Sequence, residues 1–192
     1  MSVKERKERE RAQRERLIVA TARELAEEQG WDAVTTRRLA ERIEYSQPVL
    51  YSHFRGKREI IGAVAREGAA EMAVAVRAAV STVDDPRDRV AALARAYLDF
   101  AERNPAVYDA LFDLDGGLAF AQEDTPEELK DAFAALLETL GEVAGDGVHP
   151  GLFTETFWAS LHGLATLTRA RRLPPEDTER RIGLLVDRLA VI

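Results

Sequence analysis

Apolar residues recur at intervals of three and four along almost the whole chain, and no segment shows the sustained alternation typical of a half-buried strand. The first apolar stripe includes Leu17, Ala22 and Leu25 and ends at Gly30. Glycine commonly ends a helix because it tolerates a left-handed backbone. The pattern therefore predicts an all-α fold of about nine helices.

The boundaries of the later helices follow from residues that begin or break a helix. Thr35 and Ser46 are placed to cap two short helices, because a hydroxyl can accept a freed backbone N–H. Proline and glycine separate most of the others. The predicted helices after the first span residues 36–43, 47–54, 57–81, 86–103, 105–114, 126–143, 151–171 and 175–190.

The two short helices are separated by only three residues, 44–46. Such a turn holds two helices at a steep angle and leaves the second free to enter a major groove. The outer face of the second helix is mostly polar or aromatic, which suits base edges and phosphates. The small core that fixes the angle is predicted to contain Leu39, Ala40, Ile43, Leu50 and Phe54.

Charge permits an interaction with DNA, although the 192-residue chain has a net charge of −7. Residues 1–60 carry 14 Lys/Arg and 11 Asp/Glu, whereas residues 61–192 carry 13 and 23. The approach of a ligand depends on the local potential rather than on the total charge. The absence of cysteine excludes disulfides, thiolate metal sites and cysteine nucleophiles.

Residues 34–57 resemble the tetracycline-repressor (TetR) family of transcriptional regulators. The residues that carry the resemblance are Thr35, Arg37, Leu39, Ala40, Ser46, Leu50, Tyr51, His53, Phe54 and Lys57. The resemblance implies a homodimer that binds palindromic double-stranded operator DNA, usually as a repressor, and that a small apolar effector releases. It implies base contacts by Gln47, Pro48, Val49 and Tyr51, and phosphate contacts by Thr36, His53 and Lys57. Arg37, a cation that flanks the two short helices, is a further candidate for DNA binding.

Two positions depart from the family pattern. Ile43 and Glu44 stand where the family usually has a small residue and glycine, so a left-handed backbone is expected at Glu44, at a cost of about 1–2 kcal/mol. Pro48 replaces a common glycine. These changes affect the operator sequence that we expect, but not DNA binding itself.

The chain is predicted to divide into a DNA-binding domain, residues 1–60, and an effector-binding and dimerisation domain, residues 61–192. Trp158, His162 and Gly163 resemble the signature of the Trp-His-Gly subclass of the family, as does Asn104-Pro105. In the family this region encloses an apolar cavity, although each aromatic side chain could instead be core and His162 could be structural. The candidate ligand-binding residues are Tyr97, Phe100, Phe112, Phe133, Trp158 and His162.

The helix at 151–171 is apolar on two sides, so it needs a second partner besides its own core. Small residues on it would allow a close approach to a second copy across a two-fold axis. The interface predicted from this helix and the last one contains Phe153, Thr156, Ala159, Gly163, Leu167, Ile182, Leu185, Val186 and Leu189.

Alternative functions have weaker support. The three histidines are isolated in sequence, and no nucleophile elbow or phosphate-binding glycine loop is present, so neither an enzyme nor a metal or other cofactor is expected. A helical small-molecule-binding protein without specific DNA binding is the main alternative. The charged N-terminal arm, residues 4–16, is either a solvated helix extension or a DNA contact. Without a secretory or membrane-spanning segment, we expect a cytoplasmic protein.

Overall fold

The computed structural model describes residues 2–189 of the chain. Within this range it forms nine α-helices and no β-strand, which confirms the predicted all-α fold. No helix in the described range combines the length and the apolar character that a bilayer crossing requires. The helices are α1 (Val3–Gln29), α2 (Thr36–Arg42), α3 (Gln47–Tyr51), α4 (Lys57–Val80), α5 (Pro86–Arg103), α6 (Pro105–Phe112), α7 (Glu127–Leu140), α8 (Pro150–Arg169) and α9 (Thr178–Leu189).

The ends of α1 follow from local chemistry. Ser2 and Glu5 form a reciprocal capping box, in which each side chain accepts a hydrogen bond from the other residue's backbone N–H. Gly30 ends the helix with a φ of 79°, as predicted. Between these ends, the exposed arm carries ion pairs four residues apart, such as Lys4 with Glu8. The arm is thus helical and exposed, and contact of the arm with DNA stays an alternative that these ion pairs do not test.

Several predicted helices are shorter in the structure, among them the third and the last. The helix predicted over residues 47–54 is the five-residue α3, because Phe54 N–H and His53 N–H both bond to Leu50 C=O and the chain tightens into a turn. The last helix begins with a 3₁₀ turn at Pro175–Asp177, so α9 starts at Thr178. The predicted end of that helix at residue 190 lies outside the described residues.

The chain packs as two compact units. The first consists of the residues up to Gly68 together with Asn104–Thr125, and the second consists of Ala69–Arg103 together with the residues from Pro126 onward. Helix α4 contributes turns to both units. The functional division that we predicted at residue 60 stays a prediction.

The first unit has its core around α1, with α2 and α6 packed against it. The indole Nε1 of Trp31 donates to the C=O of Ala106 at 2.8 Å, which ties the start of α6 to the segment after α1. The side chains of Ile18, Leu39 and Leu50 are buried. Helix α2 packs against both α1 and α3, so it links the buried side chains of these three helices.

In the second unit, α5 packs against α7, α8 and α9. Tyr97 and Phe157 are fully buried there. The guanidinium of Arg77 lies 2.8 Å from the carboxylates of both Asp131 and Glu138 and joins α4 to α7. Hydrogen bonds from Arg77 lower the pKa of both carboxyls, so both pairs are ionic at neutral pH.

A close backbone contact in the first unit requires glycine. A Cβ added at Gly62 of α4 would lie 2.4 Å from the carbonyl oxygen of Gly116. Because the opposing atom belongs to the backbone, it cannot move aside as a flexible side chain would. Gly56, by contrast, has open space around the position of a Cβ.

We expect Gly62→Ala to lower the free energy of unfolding by about 1–3 kcal/mol, because the added methyl group overpacks the contact. Gly56→Ala, the control in the same unit, should be neutral or slightly stabilising. Urea denaturation at constant protein concentration checks both values. A Gly62→Ala variant as stable as the wild type would contradict the close contact.

Candidate nucleic-acid interface

The candidate interface begins at the first turn of α2. Thr35 is the N-cap residue in extended conformation, and its hydroxyl accepts from Arg38 N–H at 3.2 Å, as the sequence predicted. At the other end, Glu44 has a φ of 56° and Tyr45 N–H bonds to Ala40 C=O at 2.9 Å. The predicted left-handed backbone at Glu44 is confirmed. It ends α2 sharply and directs the chain into α3.

Helix α3 presents an exposed polar face above one buried anchor. Gln47 and Pro48 are exposed, and Tyr51 is 52% exposed, whereas Leu50 is 1% exposed. Ser46 occupies the N-cap position, but its side chain makes no capping hydrogen bond. The backbone turn and the burial of Leu50 therefore hold the start of α3.

Two residues predicted for the core are only half-buried. Ile43 lies at the C-terminal end of α2, and Phe54 lies in the turn after α3. Leu39 and Ala40, in contrast, are buried as predicted.

Six of the eight candidate DNA-binding side chains lie on the outer side of the motif. The Tyr51 hydroxyl lies 3.3 Å from the hydroxyl of Thr36, which links α3 to the start of α2. The guanidinium of Arg37 donates to Glu41 at 2.9 Å on the exposed surface, and this hydrogen bond raises the pKa of Arg37. The exposed candidates are Arg37, Gln47, Pro48 and Tyr51, and the half-buried ones are Thr36 and Val49.

The other two candidates already have partners within the protein. The side chain of His53 is 5% exposed, and its Nδ1 lies 3.2 Å from a carboxylate oxygen of Glu15. The ammonium of Lys57 donates to the backbone C=O of Trp31. Sequence reasoning missed both partners because they lie 38 and 26 residues away along the chain. Phosphate binding by His53 and Lys57 stays a prediction.

Glu15 connects the N-terminal arm to His53, in the turn after α3. Its carboxylate accepts from Arg11 Nε at 3.0 Å as well as facing His53. The hydrogen bond from Arg11 is the main reason that the pKa of Glu15 lies below its ordinary value, with a smaller contribution from His53 and a partial offset from burial. The carboxylate is therefore ionised at neutral pH.

The candidate effector residues are only partly brought together. In the second unit, Trp158 Nε1 donates to the Tyr97 hydroxyl at 3.0 Å, and the rings of Phe133 and Trp158 are 6.4 Å apart. Phe100 and His162 belong to the same unit, and Phe100 is 6% exposed. Phe112 belongs to the first unit, where its ring lies 4.6 Å from that of Tyr108.

The predicted dimer surface needs a correction in α9. Ile182 is 1% exposed and Val186 is 5% exposed, so both are core residues of their own chain and offer almost no surface to a partner. They follow the regular apolar stripe of α9, and such a stripe faces the helix's own core. The exposed leucine of α9 is Leu184, at 59%, which lies off that stripe and was missed. Leu185 and Leu189 are half-buried.

Helix α8 carries the exposed part of the predicted surface. Of the predicted residues, Leu167 is 44% exposed, and Thr156 and Ala159 are exposed as well. Leu152, which the prediction did not include, is 61% exposed at the start of the same stripe. A Cβ added at Gly163 would meet nothing within 4 Å. Phe153 is half-buried beside this stripe. One side of α8 is therefore left without a partner in the described chain.

The fold and the exposed face of α3 define an all-α protein with an N-terminal helix-turn-helix. Residues 18–64 match the model of bacterial regulatory proteins of the tetR family, and residues 90–189 match that of the tetracyclin repressor-like C-terminal domain. The chain therefore belongs to the tetR family of bacterial regulatory proteins. Membership in the Trp-His-Gly subclass stays a prediction.

Individual relatives agree with this family. The chain is 32% identical over 105 residues to the transcriptional activator FasR of Mycolicibacterium smegmatis, a match that covers 55% of this chain and 48% of FasR. It is 48% identical over 48 residues to the class C tetracycline repressor of Escherichia coli, covering 25% of this chain and 22% of that protein. The chain thus spans half or less of the length of these relatives.

The fold also matches a solved structure over nearly its full length. A protein of unknown function from Rhodococcus sp. RHA1 superposes with a TM-score of 0.76 at 24% identity. The match covers 92% of this chain and 95% of that one. At this level of identity the likeness concerns the fold alone.

The lowered pKa of Glu15 gives a testable pH dependence. A carboxyl whose pKa is lowered in the folded state contributes stability that is fully present above its ordinary pKa. This stability is lost as the pH falls from the ordinary pKa through the lowered one. We expect the stability of the wild type to decline more steeply on acidification than that of Glu15→Gln, by about 0.5 kcal/mol, because exposed pairs contribute little. Melting curves from neutral pH down to about pH 3, below the ordinary pKa of a glutamate, test this, and parallel pH profiles would contradict it.

Proposed function

We propose that this protein is a transcriptional regulator that binds palindromic operator DNA as a homodimer, with one α3 helix in the major groove of each half-site. The observation that carries the proposal is the exposed face of Gln47, Pro48 and Tyr51 above the buried Leu50, within a helix-turn-helix that matches the tetR family. Short recognition helices of this kind place a few side chains against base edges.

The candidate residues on the outer side of the motif make different kinds of DNA contact according to their side-chain chemistry. Gln47 carries an amide that can both donate to and accept from an adenine edge, and Pro48, Val49 and Tyr51 supply apolar contacts beside it. Arg37 turns from Glu41 to a phosphate, because a surface ion pair contributes little and is exchanged easily. The hydroxyl of Thr36 is placed to hold a second phosphate.

Lys57 and His53 act from the edge of the interface. The ammonium of Lys57 has three N–H donors, and the carbonyl of Trp31 uses only one of them. The remaining donors can bind a phosphate. His53 braces the segment after α3 against Glu15 and keeps the recognition helix in position.

Dimerisation uses the unpartnered side of α8. The exposed stripe of Leu152, Thr156, Ala159 and Leu167 follows helical spacing, and the bare backbone at Gly163 allows a second helix to approach closely. A two-fold axis brings the same stripe of two chains together. Two recognition helices would then lie about 34–36 Å apart, one turn of the duplex.

We propose that a small-molecule effector regulates DNA binding, as the family resemblance implies. A small apolar effector binds beside Tyr97, Phe133 and Trp158 and shifts the population toward a dimer with a different spacing of its recognition helices. Helix α4, which contributes to both units, is the connection between them. Repression by occupancy of the operator is our proposal for the sign of regulation, although FasR is named an activator. Since bacterial operators lie in the cytoplasm, the protein acts there.

We expect Tyr51→Ala to weaken binding by about 5- to 150-fold, which corresponds to 1–3 kcal/mol, because Tyr51 is exposed and its loss leaves the core intact. The measurement uses duplexes that the wild-type protein selects from a random pool. The matched control is Phe120→Ala, which removes an aromatic side chain of similar exposure in the same unit.

Equal affinity of Tyr51→Ala and wild type would contradict the proposed role of α3. Failure of the wild type to enrich any palindrome would instead favour the alternative, a helical small-molecule-binding protein without specific DNA binding.

For Lys57→Ala we expect weaker binding of selected and random duplexes alike. The slope of the logarithm of the binding constant against the logarithm of the salt concentration should become shallower by about one. A phosphate contact carries no sequence information, so the selectivity should stay unchanged. Melting curves of the free variant separate this effect from loss of the bond to Trp31. Unchanged salt dependence in a folded variant would remove Lys57 from the interface.

The dimer surface is tested by Ala159→Glu. A carboxylate in the middle of the α8 stripe should convert the dimer to monomers in sedimentation velocity, because two like charges would face each other across the axis. The matched control is Val74→Glu, at an apolar side chain of α4 that is 67% exposed. If both variants remain dimeric, the α8 stripe is not the interface.

A further inference from the structure

A separate cavity of about 710 Å³ lies in the second unit, between α5, the end of α8 and the segment that leads to α9. Its volume is within the range of small-molecule sites. Its lining contains none of the six aromatic and histidine residues that we predicted for the effector. It is therefore a second candidate site.

The cavity combines an apolar wall with a positive rim. Leucine, alanine and proline side chains form the wall, among them Leu98, Leu164 and Pro174. Four arginines and two carboxylates share the lining, although the part of the chain after residue 60 has an excess of acidic residues. One of the carboxylates, Asp99, already forms an ion pair with Arg103 at 3.2 Å.

Two of the arginines are available to a ligand. Arg181 is held by the carbonyl of Pro174, at 2.8 Å. The exposed Arg171 and Arg172, in contrast, form no ion pair with any of residues 2–189. They are adjacent in sequence and both line the cavity, which makes them the candidates for binding one anion together.

The backbone fixes the position of this pair. Arg171 N–H bonds to Thr168 C=O at 2.9 Å and Arg172 N–H to Leu167 C=O at 2.8 Å, which ends α8 in a tight turn. Arg171 takes the left-handed position of this turn, with a φ of 56°. Glycine is the residue that fits such a position without strain. Replacement of Arg171 by glycine therefore removes the charge while relaxing the backbone.

We propose that this cavity binds an organic carboxylate with an aliphatic body, its carboxylate between Arg171 and Arg172 and its chain along the apolar wall. A guanidinium group presents two parallel N–H donors that match a carboxylate. An apolar body is required because a small hydrophilic ion would leave the wall of leucine and proline exposed to water. The site requires no DNA, so it stands independently of the proposed operator binding.

Calorimetry on the full chain tests the site, with decanoate as the probe below its micelle concentration. Decanol has the same chain without the charge, and acetate has the charge without the chain. We expect decanoate to bind, decanol to bind at least about fivefold more weakly, and acetate not to bind detectably. No binding of decanoate, or equal binding of decanol, would overturn the proposal.

The variants separate binding from folding. Arg172→Gln should weaken decanoate about fivefold, whereas Arg188→Gln, which removes an exposed arginine outside the cavity lining, should not. Arg171→Gly should weaken decanoate while raising the melting temperature of the free protein. If Arg171 and Arg172 only complement the carbonyl end of α8, both variants will keep wild-type affinity for decanoate, and the proposal fails.

Discussion

A helix of five residues has no stability of its own in water, because helices shorter than about 12 residues are marginal even in favourable sequences. The recognition helix α3 therefore exists only because Leu50 is buried, at 1% exposure, in the core that α1 and α2 share. The side chains that face outward, Gln47 and Tyr51, take their positions from this burial. Loss of the Leu50 anchor would therefore remove the exposed face of α3 as well.

Because α3 depends on its surroundings, the polar residues of the motif serve two purposes. Some face outward, and others bond to the rest of the protein and hold the motif in place. Those on the outer face, such as Tyr51, remain exposed, while His53 and Lys57 are turned toward Glu15 and Trp31. These inner bonds join the segment after α3 to α1 and to the turn that follows it. The N-terminal helix is in this way part of the scaffold that positions the interface, in addition to carrying its charged arm.

Periodicity and capping residues were sufficient to predict the helices, because most of them bury a regular apolar stripe. The length of α3 could not be predicted, since it depends on backbone bonds to Leu50 that residue types do not reveal. The partners of His53 and Lys57 are distant in sequence and arise only from packing. In α9 the regular stripe contains Ile182 and Val186, which the structure places in the chain's own core, while the exposed Leu184 interrupts the pattern.

In the proposed dimer, two copies of α3 are held one turn of DNA apart. Because the chain has no cysteine, a spin label attached through Arg55→Cys, a position with a 92% exposed side chain next to α3, is unique in each chain. Pulsed dipolar spectroscopy of the labelled protein on a selected duplex should give one narrow distance distribution centred near 34 Å, roughly one helical turn, widened by the label's linker. A label-to-label signal that is absent, or spread broadly without a maximum in this range, would contradict the account.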